Sequence, residues 1–222
     1  MNDENYIDKL FRGVCDDAKT KIVRAALDEF AMRSLSGART RQIASKAGVN
    51  HAAISYYFGG KKELYAEVVR QICDFIHDFM TPFFARCSEI EKTKSVADAK
   101  TLVKDFVMCR VCIESDSDDV FRDLVLILTR EELYQTEAFG FIFEKVLRPS
   151  IALMESMLKT ASKGKYSGFE ARIAAQMILS EVMMFNSARA GIKLINGWKI
   201  FGKKEYEKIE EVFSGMLDKI LV

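Results

Sequence analysis

The sequence predicts an all-α protein. Leu, Ala, Glu, Lys, Met and Arg recur throughout, and only two prolines, Pro82 and Pro149, interrupt 222 residues. Apolar side chains return at helical spacing, with no strand-like alternation to compete. At 49% hydrophobic residues the chain can bury a real core. The expected architecture is an N-terminal three-helix bundle holding a helix-turn-helix, then a larger helical domain, about nine helices in all.

The first helix opens at an Asp16 or Asp17 cap and runs through Arg33. Ile22, Val23, Ala26, Leu27, Phe30 and Ala31 share one face, and the helix stops at "SLSG". A short second helix, Thr40 to Ala47, puts Ile43, Ala44 and Ala47 together, with Gly48 able to take a positive φ after it. Val49 fills the corner. Asn50 caps a third helix, His51 to Phe58, whose Ile54 and Phe58 point inward. Two short helices joined by a tight Gly-containing turn make a helix-turn-helix.

A long helix starts near Lys61, with Leu64, Val68, Ile72, Phe75, Ile76 and Phe79 on one stripe, until Pro82 ends or kinks it. Helical period then continues over Ser95 to Glu114, Asp118 to Gln135, Phe139 to Ala161 with a kink near Pro149, Glu170 to Gly197, and Lys203 to Val222. The domains expected are 15–66, which would bind DNA, and 67–222, which would bind ligand and dimerise.

From Arg33 to Lys62 the bases are Arg33, Arg39, Arg41, Lys46, Lys61 and Lys62, with no Asp or Glu, in a chain of net charge +1. Charge alone fits a solvated face as well as a nucleic-acid surface. The third helix adds geometry. If Val49, Ile54 and Phe58 face the core, His51, Ala52, Ser55 and Tyr56 lie outside, with Ala53 at the edge. The major groove is about 12 Å wide, so small side chains let the helix backbone approach while His51 or Ser55 bonds base edges. Tyr57 and Lys61 would hold phosphate oxygens at the helix C-terminus, and Arg39 and Thr40 would do so at the start of the second helix. Arg41 reaches either a phosphate or a guanine edge.

At these residues a resemblance enters. "IASKAGVNHAAISYYFGGKKELY" resembles the helix-turn-helix of the TetR family of bacterial transcriptional regulators: I-A, A-G-V, Y-Y-F and K-x-x-L stand at that family's spacing, over Ala18 to Val69. N-x-A-A-I-S-Y-Y-F with G-x-K is similar to the CecR-like branch, as is "REELYQTEAFGFIFEKVLRPSIALMESML". Two positions depart: Ser34-Leu35 stands where the family usually has a glycine and an aromatic, and Arg39 where a small hydroxyl is frequent. The resemblance implies a homodimer on a palindromic operator, answering to a small-molecule effector through its C-terminal domain.

The last two helices are the expected dimer interface. The first carries small residues such as Ala171, Ala175, Ser187 and Gly191, and the second an apolar face of Tyr206, Ile209, Val212, Phe213, Met216, Leu217 and Ile220. An intradomain core is the competing reading. Ligand-pocket candidates are Phe106, Cys109, Arg130, Tyr134, Phe139, Phe143, Met183 and Met184, although for each of them ordinary core is the preferred reading. Arg110, Arg130 and Arg148, in apolar helices, call for pairing with Glu131, Glu132 or Glu144, or for an anionic ligand.

"CRVC", Cys109 to Cys112, has C-x-x-C spacing, but mid-helix and with histidine only at 51 and 77; core packing is the reading, with a thiol sensor as its rival. Neither metal nor cofactor is expected. No nucleophile elbow, HExxH or phosphate loop occurs, so no enzyme is expected either. No signal peptide or membrane span is evident, so a cytoplasmic protein is expected. A ligand-responsive DNA-binding regulator, a repressor by preference, is thus the leading reading. The alternative is a helical small-molecule carrier or interaction module without DNA binding.

Overall fold

The computed structural model describes residues 17–111 and 119–221, and every regular element among them is helical. In order these are α1 (Ala18–Gly37), α2 (Thr40–Ala47), α3 (Ala52–Phe58), α4 (Lys61–Thr93), α5 (Val96–Met108), α6 (Asp119–Tyr134), α7 (Phe139–Ile142), a π-helical segment (Phe143–Leu147), α8 (Arg148–Ala161), α9 (Gly168–Ser187), α10 (Arg189–Asn196) and α11 (Lys203–Ile220). They form two compact units, 17–78 with 119–146 and 79–111 with 147–221.

In the first unit, Asp17 caps α1, its Oδ1 accepting the Thr20 N–H at 2.7 Å. Ile22, Phe30, Ile43, Ile54, Leu64 and Ile72 are fully buried, and the Tyr65 ring meets Phe30 edge-on at 5.0 Å. The α-helical path of α1 breaks at Ser34 (φ 63°, ψ 171°). Near that break α6 packs on α1, and Arg130 Nη1 donates to the carbonyls of Phe30 and Ala31 at 2.9 and 2.5 Å. A guanidinium at a helix C-terminus satisfies carbonyls and opposes the dipole. The expected pairing of Arg130 with Glu131 is therefore corrected, because adjacent helical residues do not face each other. Glu131, itself buried, accepts from the Tyr65 hydroxyl at 2.6 Å and from Thr136 N at 3.1 Å.

The second unit is centred on Leu102, Val103, Phe106, Met154, Met157 and Ala175, with α8 packed between α5 and α9. Ser95 caps α5 through Asp98 N–H. Arg110 stacks 4.4 Å over the Phe106 ring and donates to Ser150 Oγ at 2.7 Å. Burial lowers its pKa to about 10.

Several expected boundaries change. α4 continues through Pro82 to Thr93. Proline removes one backbone bond at a cost of about 3 kcal/mol, which the burial of Cys87 and Ile90 beyond it offsets. α5 ends at Met108, short of Glu114. Before Pro149 the helix widens to π geometry, because proline offers no N–H to the Lys145 carbonyl four residues back. His77 Nδ1 lies 3.3 Å from that oxygen and donates in its place. The long helix expected over Glu170 to Gly197 divides at Ala188 (φ −97°, ψ 18°), where the Ser187 hydroxyl donates to the Met183 carbonyl.

Candidate nucleic-acid interface

The interface is built by two turns that the local sequence dictates. α2 ends at Gly48 in the left-handed region (φ 67°), with Gly48 and Val49 N–H groups returning to Ser45 and Ala44 carbonyls. Asn50 then accepts the Ala52 N–H on its side chain at 2.9 Å and launches α3. α3 begins one residue later than expected, and Gly59 closes it at φ 91°.

Ile54 anchors α3 in the core and Phe58 is half-buried, with the Lys19 ammonium 5.8 Å from its ring centroid. His51, Ala52, Ser55, Tyr56 and Tyr57 are exposed, and Ala53 is partly so. Tyr56 is 83% exposed against 44% for Tyr57, the two rings meeting edge-on at 5.0 Å. Apart from that contact with its neighbour, Tyr56 faces solvent.

The basic window is partly neutralised by carboxylates that the linear reading missed. Arg33 pairs with Glu29 at 3.2 Å within α1, and Lys46 of α2 pairs with Asp28 of α1. The Lys61 ammonium donates to the Ser36 and Ala38 carbonyls at 3.3 and 3.2 Å, tying α4 to the loop before α2. That structural duty was not anticipated. Among the described residues, Arg39, Arg41 and Lys62 keep their charge without an ion pair. Arg39 sits at the N-cap of α2 without a side-chain cap bond, its own N–H donating to Glu29 Oε1 at 3.3 Å, and among the first N–H groups of the helix those of Thr40 and Arg41 meet no protein acceptor among the described residues. His51 Nε2 lies 2.8 Å from Thr40 Oγ1, a bond across the turn that no periodicity signals.

The eight expected pocket residues are divided between the two units. Arg130, Tyr134, Phe139 and Phe143 belong to the first unit, and Phe106, Cys109, Met183 and Met184 to the second. Arg130 caps α1, Tyr134 and Met184 are exposed, Phe106 is core, and Phe139 and Phe143 lie against each other with ring centroids 6.4 Å apart. Apolar spacing alone does not say which helical faces converge. The large cavity of the second unit, about 1200 Å³, is lined instead by residues that include Val111, Met177, Val182, Phe185, Val212 and Met216. Cys109 lies in a turn, its thiol 3.2 Å from the Phe106 carbonyl, and burial pushes its pKa up to about 11, which disfavours a reactive thiolate. Cys112 lies outside the described residues. Among those described, no cluster of three His, Cys, Asp or Glu is placed to hold a metal ion, and no helix is long and apolar enough to cross a membrane.

Residues 22–68 match the family model for bacterial regulatory proteins of the tetR family, and 106–221 match that for the C-terminal domain of the HTH-type transcriptional dual regulator CecR. CecR of Shigella flexneri is 27% identical over 209 residues, 93% of this chain and 92% of CecR. The HTH-type regulator RutR of Escherichia coli K12 is 46% identical over 56 residues, 25% of this chain and 26% of RutR. Among solved structures, a transcriptional regulator from Rhodococcus sp. Rha1 superposes with a TM-score of 0.60 at 18% identity, covering 90% of this chain and 96% of that one.

Proposed function

The chain belongs to the TetR family of bacterial transcriptional regulators, in the branch that carries the CecR-type C-terminal domain, and on that premise we propose that it is a homodimeric repressor that a small-molecule effector releases from a palindromic operator. DNA binding is the family's activity; the residues that perform it, the dimer face and the sense of regulation are our reading.

The observation that carries it is the outer surface of α2 and α3. α3 offers Ala52, Ala53, Ser55 and Tyr56 to a groove, a low face that lets a helix backbone lie close to base edges. Arg39, Arg41 and Tyr57 stand around it as phosphate contacts, and the open N-terminus of α2 adds backbone donors. Lys61 contributes by holding the loop that carries Arg39. These contacts fall within 15–66, while 67–222 serves effector binding and dimerisation, in the cytoplasm.

The apolar groove of α9, α10 and α11 is the seat of a second copy. Met177, Met184, Leu194, Ile195, Val212 and Met216 are all exposed on these helices, and Met177, Val212 and Met216 also line the large cavity, apolar surface of the kind that marks an association site. Two recognition helices on one duplex face require successive grooves about 34–36 Å apart, which a two-fold dimer supplies.

The test is fluorescence anisotropy of the full chain on duplexes selected from a random pool, over a range of salt. Arg41→Ala should lower affinity and reduce the salt slope by about 1. Absence of any sequence-dependent, salt-sensitive complex would leave the carrier reading in its place.

A further inference from the structure

We propose that His51 acts on the DNA backbone through Thr40, as a positioning residue for a phosphate contact, and does not read a base. The inference rests on the DNA-binding reading above. It starts from one bond, His51 Nε2 to Thr40 Oγ1 at 2.8 Å, between residues eleven apart and on opposite sides of the turn.

Thr40 is the first residue of α2. Of the helix's opening N–H groups, those of Gln42 and Ile43 return to the Arg39 carbonyl, while those of Thr40 and Arg41 meet no protein acceptor among the described residues. An anion at this end of the helix meets both of these and the Thr40 hydroxyl. A hydroxyl has one proton and two lone pairs, and a phosphate oxygen only accepts. With phosphate in place the Thr40 proton points to it, and a hydroxyl lone pair is left for His51. Imidazole then serves as donor, its proton on Nε2. The order is His51 Nε2–H to Thr40 Oγ1, and Thr40 Oγ1–H to phosphate. The reverse order would spend the only hydroxyl proton on His51 and turn lone pairs toward an anion.

His51 is exposed and Thr40 half-buried, so neither side chain is needed to fill the core. The bond fixes the hydroxyl rotor and ties the start of α2 to the start of α3. In this arrangement the ring edge assigned from sequence to base reading is already engaged.

The experiment uses the full chain, a duplex selected from a random pool, and its complete set of single-base variants. Thr40→Val and His51→Ala should each weaken binding about tenfold, the worth of a hydrogen bond to a charged group. The loss should fall equally on every duplex of the set, because a phosphate contact carries no sequence information. The double variant should bind no worse than either single one. His51→Gln, which keeps an N–H donor near the Nε2 position, should recover most of the affinity. A changed order of base preference in His51→Ala, multiplying losses in the double variant, or no recovery in His51→Gln overturns the proposal. Failure of the unsubstituted chain to select any duplex would instead remove the DNA-binding reading, a result seen before any variant is made.

Discussion

Ser34 is held at φ 63°, ψ 171°, a conformation that glycine adopts freely and other residues adopt at about 1–3 kcal/mol. It is also the position where the family usually has glycine, so the loop keeps the glycine geometry with a side chain that strains it. The exposed 3.0 Å contact between the Ser34 and Ser36 hydroxyls returns little of that. Ser34→Gly should therefore raise stability by about 1 kcal/mol, and Ser34→Ala should not, as read from thermal melts of both. Equal melting of the two variants would show that the backbone is relaxed. Tyr65 offers a second test at this scale. Burial, then the hydrogen bond to Glu131, raise its pKa, so the folded chain keeps a phenolic proton that the unfolded chain loses near its ordinary value of about 10. Its contribution is present below that pH and is lost as pH rises above it. Tyr65→Phe should lower stability at neutral pH by about 1–3 kcal/mol, because Glu131 loses a buried donor. In urea unfolding series from neutral to strongly alkaline pH, the same variant should lose less stability on the alkaline side than the unsubstituted chain.

Among the elements, α1 is held at its end by a residue far away in sequence. Arg130 caps the Phe30 and Ala31 carbonyls from α6, while Lys61 holds the Ser36 and Ala38 carbonyls from α4. The loop that sets Arg39 and the start of α2 thus hangs on two cations. Arg130→Met should reduce stability by about 1–2 kcal/mol and widen the backbone amide exchange of residues 30–38; unchanged exchange there would mean that α1 keeps its end without the cap. The contrast between α2–α3 and this cap shows what the sequence made legible. Gly48, Asn50 and Gly59 act on their immediate neighbours, so the helix-turn-helix and its exposed face could be read to within a residue. Arg130 acts across 100 positions, and an arginine in an apolar helix looks the same whether it meets a carboxylate, a ligand or a carbonyl. The same limit left the expected pocket a list of chemically suitable residues, since helical period carries no information about which faces meet, and the structure divides them between its two units. Pro82 and Ala188 fail differently. Proline's local penalty was outweighed by packing beyond it, and a serine hydroxyl divided a helix whose apolar period runs on.

For the whole molecule the decisive quantity is the exposed apolar surface of α9, α10 and α11. Leu194 and Ile195 are 83% and 86% exposed, and beside them lies the cavity lined by Val212 and Met216. Stable dimers bury about 800 Å² on each partner with an apolar centre, and a surface of this kind is suited to be that centre. Because Val212 and Met216 are themselves exposed in the single chain, charging them removes little from its own core. Val212→Glu with Met216→Glu should keep the helical content and the cooperative melt of the chain. It should also place like charges opposite one another across a two-fold interface, where repulsion and desolvation both oppose association. Sedimentation should then find a monomer at micromolar concentration where the unsubstituted chain is a dimer. Affinity for a duplex with two half-sites should fall about a hundredfold, since each half-site is then bound without the other's effective concentration, while the residual binding keeps its salt dependence per half-site. If the doubly charged variant still sediments as a dimer, the second copy sits elsewhere and the groove of α9 to α11 is open for the effector. The same measurement therefore assigns this face to assembly or to ligand, because the two uses compete for one apolar surface.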